Sequence, residues 1–179
     1  MYNLGAMKVL LYMAVTPNGI IAGKKDDTSW VGEADWNEFL YQAKKAGNVV
    51  LGSRTYEAMK KEKRFPVPGV LNVVMTKRVK QLSKNKWDNV IFTNDTPRGV
   101  LKHLLEKGYK KALIAGGGKI SGSFIGAKLI TDLYLTIEPV VIGRGTKIFD
   151  YVKDFSAKLK FIESVQISDH EIQLRYRVL

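Results

Sequence analysis

Ala112-Leu113-Ile114-Ala115-Gly116-Gly117-Gly118-Lys119-Ile120-Ser121-Gly122 runs from a buried-strand pattern, through three glycines, into a helix-like stretch that continues with Ser123, Phe124 and Ile125. Glycine lets a backbone take positive φ and approach an anion closely. Free N–H groups at a helix start can bond phosphate oxygens, and Lys119 adds a cation. The alternative is a plain flexible turn. Three successive glycines lose much backbone entropy on folding, which favours a functional reason for them. The segment matches neither the dinucleotide fingerprint G-x-G-x-x-G followed by a distant acid nor a P-loop, since no Gly-Lys-Ser/Thr ending is present.

Outward from this turn the chain alternates strands and helices. Upstream, Thr96 to Gly108 is a punctuated helix: Thr96 caps it, Pro97 suits its first position, and Val100, Leu101, Leu104 and Leu105 form its stripe. Val70 to Met75 and Val90 to Thr93 read as strands. Asn48 to Leu51 reads as a short buried strand, followed by a helix over Ser53 to Lys61. A helix over Glu33 to Ala46 carries Trp36, Phe39, Leu40 and Ala43 on one stripe and ends at Gly47. The first strand, Lys8 to Val15, is nearly continuous in apolar residues, as suits a strand covered on both faces. Pro17-Asn18-Gly19 then breaks the chain with turn chemistry.

Downstream, Leu129 to Ile142 is strand-like with a break at Pro139, and Gly143-Arg144-Gly145 reads as a turn. Phe161 to Ile167 and Glu171 to Val178 alternate apolar and polar residues around Ser168-Asp169-His170, the pattern of a hairpin. The expectation is a layered α/β sheet, parallel early and antiparallel at its C-terminal end.

The 179 residues fit one domain, taken as 1–179, with residues 1–6 a possible extension ahead of Met7. There is no cysteine, which excludes disulfides, thiolate metal sites and a cysteine nucleophile, and fits a reducing, cytoplasmic setting. With only two histidines, no metal site is expected. No apolar run approaches the length of a membrane span. The net charge of +12 is uneven: residues 61–111 carry 13 basic against 4 acidic groups. Such a segment can attract nucleic acid or a small polyanion, or can be a solvated lysine-rich surface.

Four motifs in order carry a family resemblance: Ala14-Val15-Thr16-Pro17-Asn18-Gly19-Ile20-Ile21-Ala22-Gly23; Trp30 with Glu33-Ala34-Asp35; Val49-Val50-Leu51-Gly52-Ser53-Arg54-Thr55-Tyr56-Glu57; and Ile114-Ala115-Gly116-Gly117-Gly118. Together with Asp132 to Thr136 and Pro139 to Gly143, the chain resembles the dihydrofolate reductase-like superfamily, nearest to the reductase domain of bacterial riboflavin-biosynthesis enzymes. The resemblance implies a three-layer α/β fold with a central, mostly parallel sheet, an antiparallel C-terminal hairpin and helices on both faces. It implies NADPH, hydride transfer to a pyrimidine- or pteridine-type small molecule, and a homodimer.

The cofactor contacts it implies are Ala14, Ile21, Gly52, Arg54, Thr55, Thr76, Lys77, Arg78, Gly116, Gly117, Gly118, Lys119 and Ile120. Arg can grip a 2′-phosphate with paired hydrogen bonds and Lys adds a point charge. In dihydrofolate reductases the basic residue directly follows the glycine; here Ser53 does, and Arg54 comes next.

Asp35 is the candidate catalytic acid. It sits at the border of the helical stripe one turn before Phe39, where it can meet a ligand ring or simply complement the helix dipole. Trp30, Phe39 and Thr136 join it as candidate substrate contacts; for Trp30 a core role and for Thr136 an ordinary strand role stand as alternatives. His103 and His170 read as structural or solvated.

The segment Thr136 to Gly143, with Gly116-Gly117-Gly118-Lys119-Ile120-Ser121-Gly122, looks more like the riboflavin-pathway reductase, and that resemblance implies reduction of a phosphoribosylamino-pyrimidine. Asp35 with Arg54-Thr55-Tyr56-Glu57 resembles dihydrofolate reductase. A nucleic-acid-binding protein acting through residues 61–111, for which no recognition motif is present, and a noncatalytic nucleotide binder are the remaining alternatives.

Overall fold

The computed structural model describes residues 7–84, 87–152 and 155–179; the possible extension 1–6 lies outside them. Strand β1 (Lys8–Val15) lies at the heart of an eight-stranded sheet, parallel to β6 (Lys111–Ile114) on one side and to β7 (Asp132–Ile137) on the other. Its side chains alternate between faces, as strand geometry requires. Val9, Leu11, Met13 and Val15 enter one core with α4 (Pro97–Glu106) and α5 (Gly118–Gly126). Leu10 and Tyr12 enter a second core with α1 (Glu33–Ala46) and α2 (Ser53–Lys61). The continuous apolar run of β1 thus has a direct cause: both faces are covered.

With β3 (Asn48–Gly52), β4 (Leu71–Met75) and β5 (Val90–Thr93), the strand order is β5-β4-β3-β6-β1-β7-β10-β9. The first six are parallel, while β10 (Ile172–Val178) is antiparallel to both β7 and β9 (Leu159–Gln166). This is the expected three-layer fold with its C-terminal hairpin. Thr96 Oγ1 accepts the Gly99 N–H at 3.2 Å, so the predicted cap of α4 is made. A short helix α3 (Val79–Leu82) follows β4.

Two details differ from the sequence expectation. The strand expected to run to Ile142 ends at Ile137, because Glu138 turns inward and Pro139 has no N–H for the ladder. The following segment leads to β8 (Thr146–Lys147), which pairs antiparallel with β2 (Ile20–Ala22) in a separate small sheet. Gly145 is therefore more than a turn residue: a Cβ there would overlap the Ala22 carbonyl oxygen.

Parallel strands deliver their C-terminal ends to one edge of the sheet, which is where α/β folds collect ligands. Here that edge receives the ends of β1, β3, β4 and β6, the start of α2, and the glycine turn.

Candidate functional site

The glycine turn is tied to its neighbours before any ligand is considered. The Gly52 N–H donates to the Gly116 carbonyl at 2.8 Å, and the Gly117 N–H donates to Thr55 Oγ1 at 2.7 Å. Gly116 has φ +78°, and a Cβ on Gly118 would lie 2.7 Å from the Lys147 carbonyl oxygen of β8. Glycine at these two positions has a structural reason: one needs positive φ, the other admits a backbone.

The same turn also makes an anion site. Helices α2 and α5 begin at Gly52 and Gly117 without side-chain caps, which brings their first-turn N–H groups to the same sheet edge; of these the Ile120 N–H is already bonded to the Gly117 carbonyl at 2.9 Å. Ser121 is fully buried, and among the described residues its hydroxyl finds no partner. Two uncapped helix starts at one groove, with Lys77, Arg78 and Lys119 along it, fit a phosphate-bearing group.

Gly52, Arg54, Thr55, Thr76, Lys77, Arg78, Gly117, Lys119 and Ile120 line this groove. Arg54 reaches Asp26 at 3.5 Å and donates to the Tyr151 hydroxyl at 3.1 Å, while Lys119 lies 4.8 Å from the Tyr151 ring centroid. Arg54 stands where the groove meets a second hollow; Lys77 and Arg78 line the groove alone.

That second hollow is a ring-shaped pocket. Met13, Ala14 and Ile21 line it from β1 and β2, Asp35, Trp36 and Phe39 from α1, and Thr55, Ala58 and Met59 from α2; Gly118 also reaches it. Trp36 and Phe39 stack with centroids 5.2 Å apart, and the Arg64 guanidinium lies 4.9 Å from the Trp36 ring. The groove and the pocket share Arg54, Thr55 and Gly117, and so form one cleft.

Asp35 is 4% exposed. The Tyr12 hydroxyl lies 2.8 Å from its Oδ1 and 3.1 Å from its carbonyl oxygen, and 3.4 Å from Thr136 Oγ1. Gln173 Nε2 donates to that threonine at 3.2 Å. Burial pushes the Asp35 carboxyl above its usual range, against the hydrogen bonds from Thr136 and Tyr12, which pull it down. Burial, then the Asp35 charge, push the Tyr12 phenol up. Burial thus favours the protonated form of both groups, the Asp35 carboxyl and the Tyr12 phenol.

Most of the residues singled out by sequence meet in this cleft. Thr136 lies behind Asp35, buried and bonded to it as well as adjoining Tyr12. Gly116 acts through its carbonyl. Trp30 is not part of the lining: its indole N–H donates to the Asp27 carbonyl at 3.1 Å, and Trp36 supplies the aromatic wall. Sequence reasoning passed over Tyr12, Arg64 and Ser121. Tyr12 was hidden inside an apolar run, where the polar tip of its ring was the only signal. Among the described residues, no group of His, Asp and Glu is arranged to hold a metal ion, and no helix is long and apolar enough to cross a membrane.

The model of the RibD C-terminal domain family matches residues 7–172. The uncharacterized protein YyaP of Bacillus subtilis (strain 168) is 26% identical over 185 aligned positions, covering 97% of this chain and 96% of its own. A putative riboflavin biosynthesis protein from Shewanella sp. PV-4 superposes with a TM-score of 0.82 at 20% identity, covering 97% of this chain and 99% of that one. Dihydrofolate reductase from Enterococcus faecalis, in complex with NADP(H) and RAB-propyl, superposes with a TM-score of 0.73 at 20% identity, covering 99% of both chains.

Proposed function

Because the chain belongs to the RibD C-terminal domain family, we propose that it is an NADPH-dependent reductase of a phosphoribosylamino-pyrimidine. The observation that carries this reading is the continuity of the cleft, from uncapped helix starts and cations at one end to a buried carboxyl on an aromatic wall at the other. When bound, the nicotinamide supplies hydride to the electrophilic carbon of a C=N bond, whose nitrogen takes a proton.

The chain's own residues orient the partners and manage that proton. The amides of α2 and α5, with Thr55 and Lys119, hold the diphosphate; Lys77 and Arg78 face the 2′-phosphate. Trp36 and Phe39 stack the pyrimidine. Asp35, kept protonated by burial and backed by Tyr12, bonds the ring and provides the proton. Arg64, at the pocket mouth, meets the anionic tail of the substrate.

Two expectations follow for single side chains. Arg64→Ala raises KM for the phosphoribosylamino-pyrimidine by about 10-fold or more with kcat within about threefold, since it removes binding common to ground and transition states. Steady-state kinetics check this. Ser121→Ala deletes a buried hydroxyl that lacks a partner among the described residues, so stability should stay unchanged or rise by about 1 kcal/mol, which denaturant melts check.

The reading includes a homodimer in the cytoplasm. Leu159, Phe161, Ile162 and Ile172 stand exposed on β9 and β10 at the open end of the sheet, and light scattering after gel filtration should return twice the chain mass. The direct test of function is NADPH oxidation with the phosphoribosylamino-pyrimidine and dihydrofolate in parallel. Faster turnover of the pyrimidine supports the proposal. Faster turnover of dihydrofolate replaces the substrate, and no NADPH binding removes the reading altogether.

A further inference from the structure

Behind the ring pocket, three elements bring buried acids together with no cation paired to them among the described residues. Glu138 follows the last residue of β7, Glu171 precedes the first of β10, and Asp35 lies in the first turn of α1; they are 1%, 7% and 4% exposed. Glu138 accepts the Gly32 N–H, at 3.3 Å through Oε1 and 3.2 Å through Oε2, and Gly32 is the N-cap of α1. Glu171 presses on the same residue: a Cβ on Gly32 would overlap its Oε1. Its Oε2 accepts the Ser168 hydroxyl, while Oε1 is buried and finds no donor among the described residues. Both carboxylates thus close on Gly32, Glu138 on its N–H and Glu171 on its Cα, and they interact with each other there.

Two acceptors in contact need a proton between them. A proton on Glu138 supplies the donor that Glu171 Oε1 lacks, whereas two ionised carboxylates in this setting would repel without solvent to screen them. The remaining charge faces the N-terminus of α1, where the helix dipole favours it.

We propose that Glu138 and Glu171 are a positioning pair for Asp35: sharing one proton, they pin Gly32, fix the first turn of α1 against the ends of β7 and β10, and so hold Asp35 against Tyr12 and Thr136. The catalytic meaning of that position rests on the proposed function; the clamp itself does not. The groups facing the three acids are the Gly32 N–H and Glu38 from α1, Tyr12 from β1, Thr136 from β7, Ser168 from the hairpin turn, and Gln173 from β10. Glu38 is neutralised by Arg175 at 3.0 Å.

Burial, opposed by the Gly32 N–H and reinforced by the Asp35 and Glu171 charges, pushes Glu138 up to about 7. An acid whose folded value is raised stabilises the fold most fully below its unfolded value. That contribution is lost as pH rises through the folded one. Loss of the shared proton at about pH 7 sets two carboxylates against each other across Gly32 and loosens the turn that carries Asp35.

Carbon-detected NMR titration of the Asp35 carboxyl in the full-length protein tests this without substrate or cofactor. In the wild type, the Asp35 signal should show an inflection at about pH 7 in addition to its own titration, as the pair loses its proton. In Glu138→Gln, whose amide still donates to Glu171 and accepts from Gly32 but cannot ionise, that inflection should vanish, and the thermal midpoint should no longer fall as pH rises through 7. Glu171→Gln should shift it to lower pH, because Glu138 then keeps its burial but loses the neighbouring charge, and serves if the first variant does not fold. A wild-type Asp35 signal with no inflection near neutrality, one that persists in Glu138→Gln, or one that stays unmoved in Glu171→Gln overturns the proposal. Because no reductase chemistry is read, such a failure is distinct from failure of the proposed activity.

Discussion

Asp35→Asn should lower kcat for the phosphoribosylamino-pyrimidine by about 10²- to 10⁴-fold, the span typical of losing a positioned general acid. Asparagine is nearly isosteric and still accepts the Tyr12 hydroxyl that lies 2.8 Å from Oδ1, so the pocket keeps its shape. What disappears is the titrating proton. NADPH affinity should stay within about twofold, because the groove that would hold the phosphates is built from other elements. The pH profile supplies the sign. Asp35 acts as an acid only while protonated, and burial holds it protonated above the ordinary carboxylate range. Wild-type kcat should therefore fall as pH rises through that raised value, and the residual rate of the variant should lack that limb. An unchanged kcat in Asp35→Asn would return the residue to a helix-dipole role.

Gly118→Ala should disable the cleft from the other end. Its Cβ would sit 2.7 Å from a backbone carbonyl of β8 and 3.2 Å from the Thr146 methyl, neither of which can swing aside like a side-chain tip. Overpacking against a backbone costs about 1–3 kcal/mol. Shifting β8 or α5 to relieve it moves the amides proposed to face the diphosphate, so NADPH binding should weaken by at least about 10-fold. Gly116→Ala makes an instructive comparison. There the obstacle is the flexible end of Met13, which can yield, and the remaining cost is the left-handed φ of +78°, about 1–2 kcal/mol. Urea melts and cofactor titrations of both variants separate the two causes. Wild-type NADPH affinity in Gly118→Ala would show that the close approach of β8 has no bearing on the groove.

The sequence made the layers legible where one signal dominated. Lys8–Val15, Glu33–Ala46 and Ser53–Lys61 were read with the bounds they take, because continuous apolar runs, helical stripes and glycine stops all agreed. The pairing of β2 with β8 was not legible: elements of three and two residues carry no period, and their contact spans more than a hundred positions of chain. Pro139 announced the break in the stretch expected to run to Ile142, but not that the strand stops at Ile137 with Glu138 turned inward.

The site divides in the same way. Asp35 was visible as a polar residue on an apolar helical border. The glycine turn was visible from composition, although only packing shows that Gly118 admits β8 and that Gly117 is tied to Thr55. Tyr12, Glu138 and Glu171 take their significance from partners far away in sequence, and Trp36 was assigned to the core stripe that it indeed continues into the pocket wall.

The central claim is that this cleft is built for a nicotinamide dinucleotide phosphate. Titration of the full-length protein with NADPH and with NADH, followed by tryptophan fluorescence, tests it most directly. The expected result is saturable binding of one NADPH per chain with Kd of about 1–100 µM, and NADH weaker by at least about 10-fold, for want of the 2′-phosphate proposed to meet Lys77 and Arg78. No saturable binding of either nucleotide up to about 1 mM, a free energy weaker than about −4 kcal/mol, would contradict it.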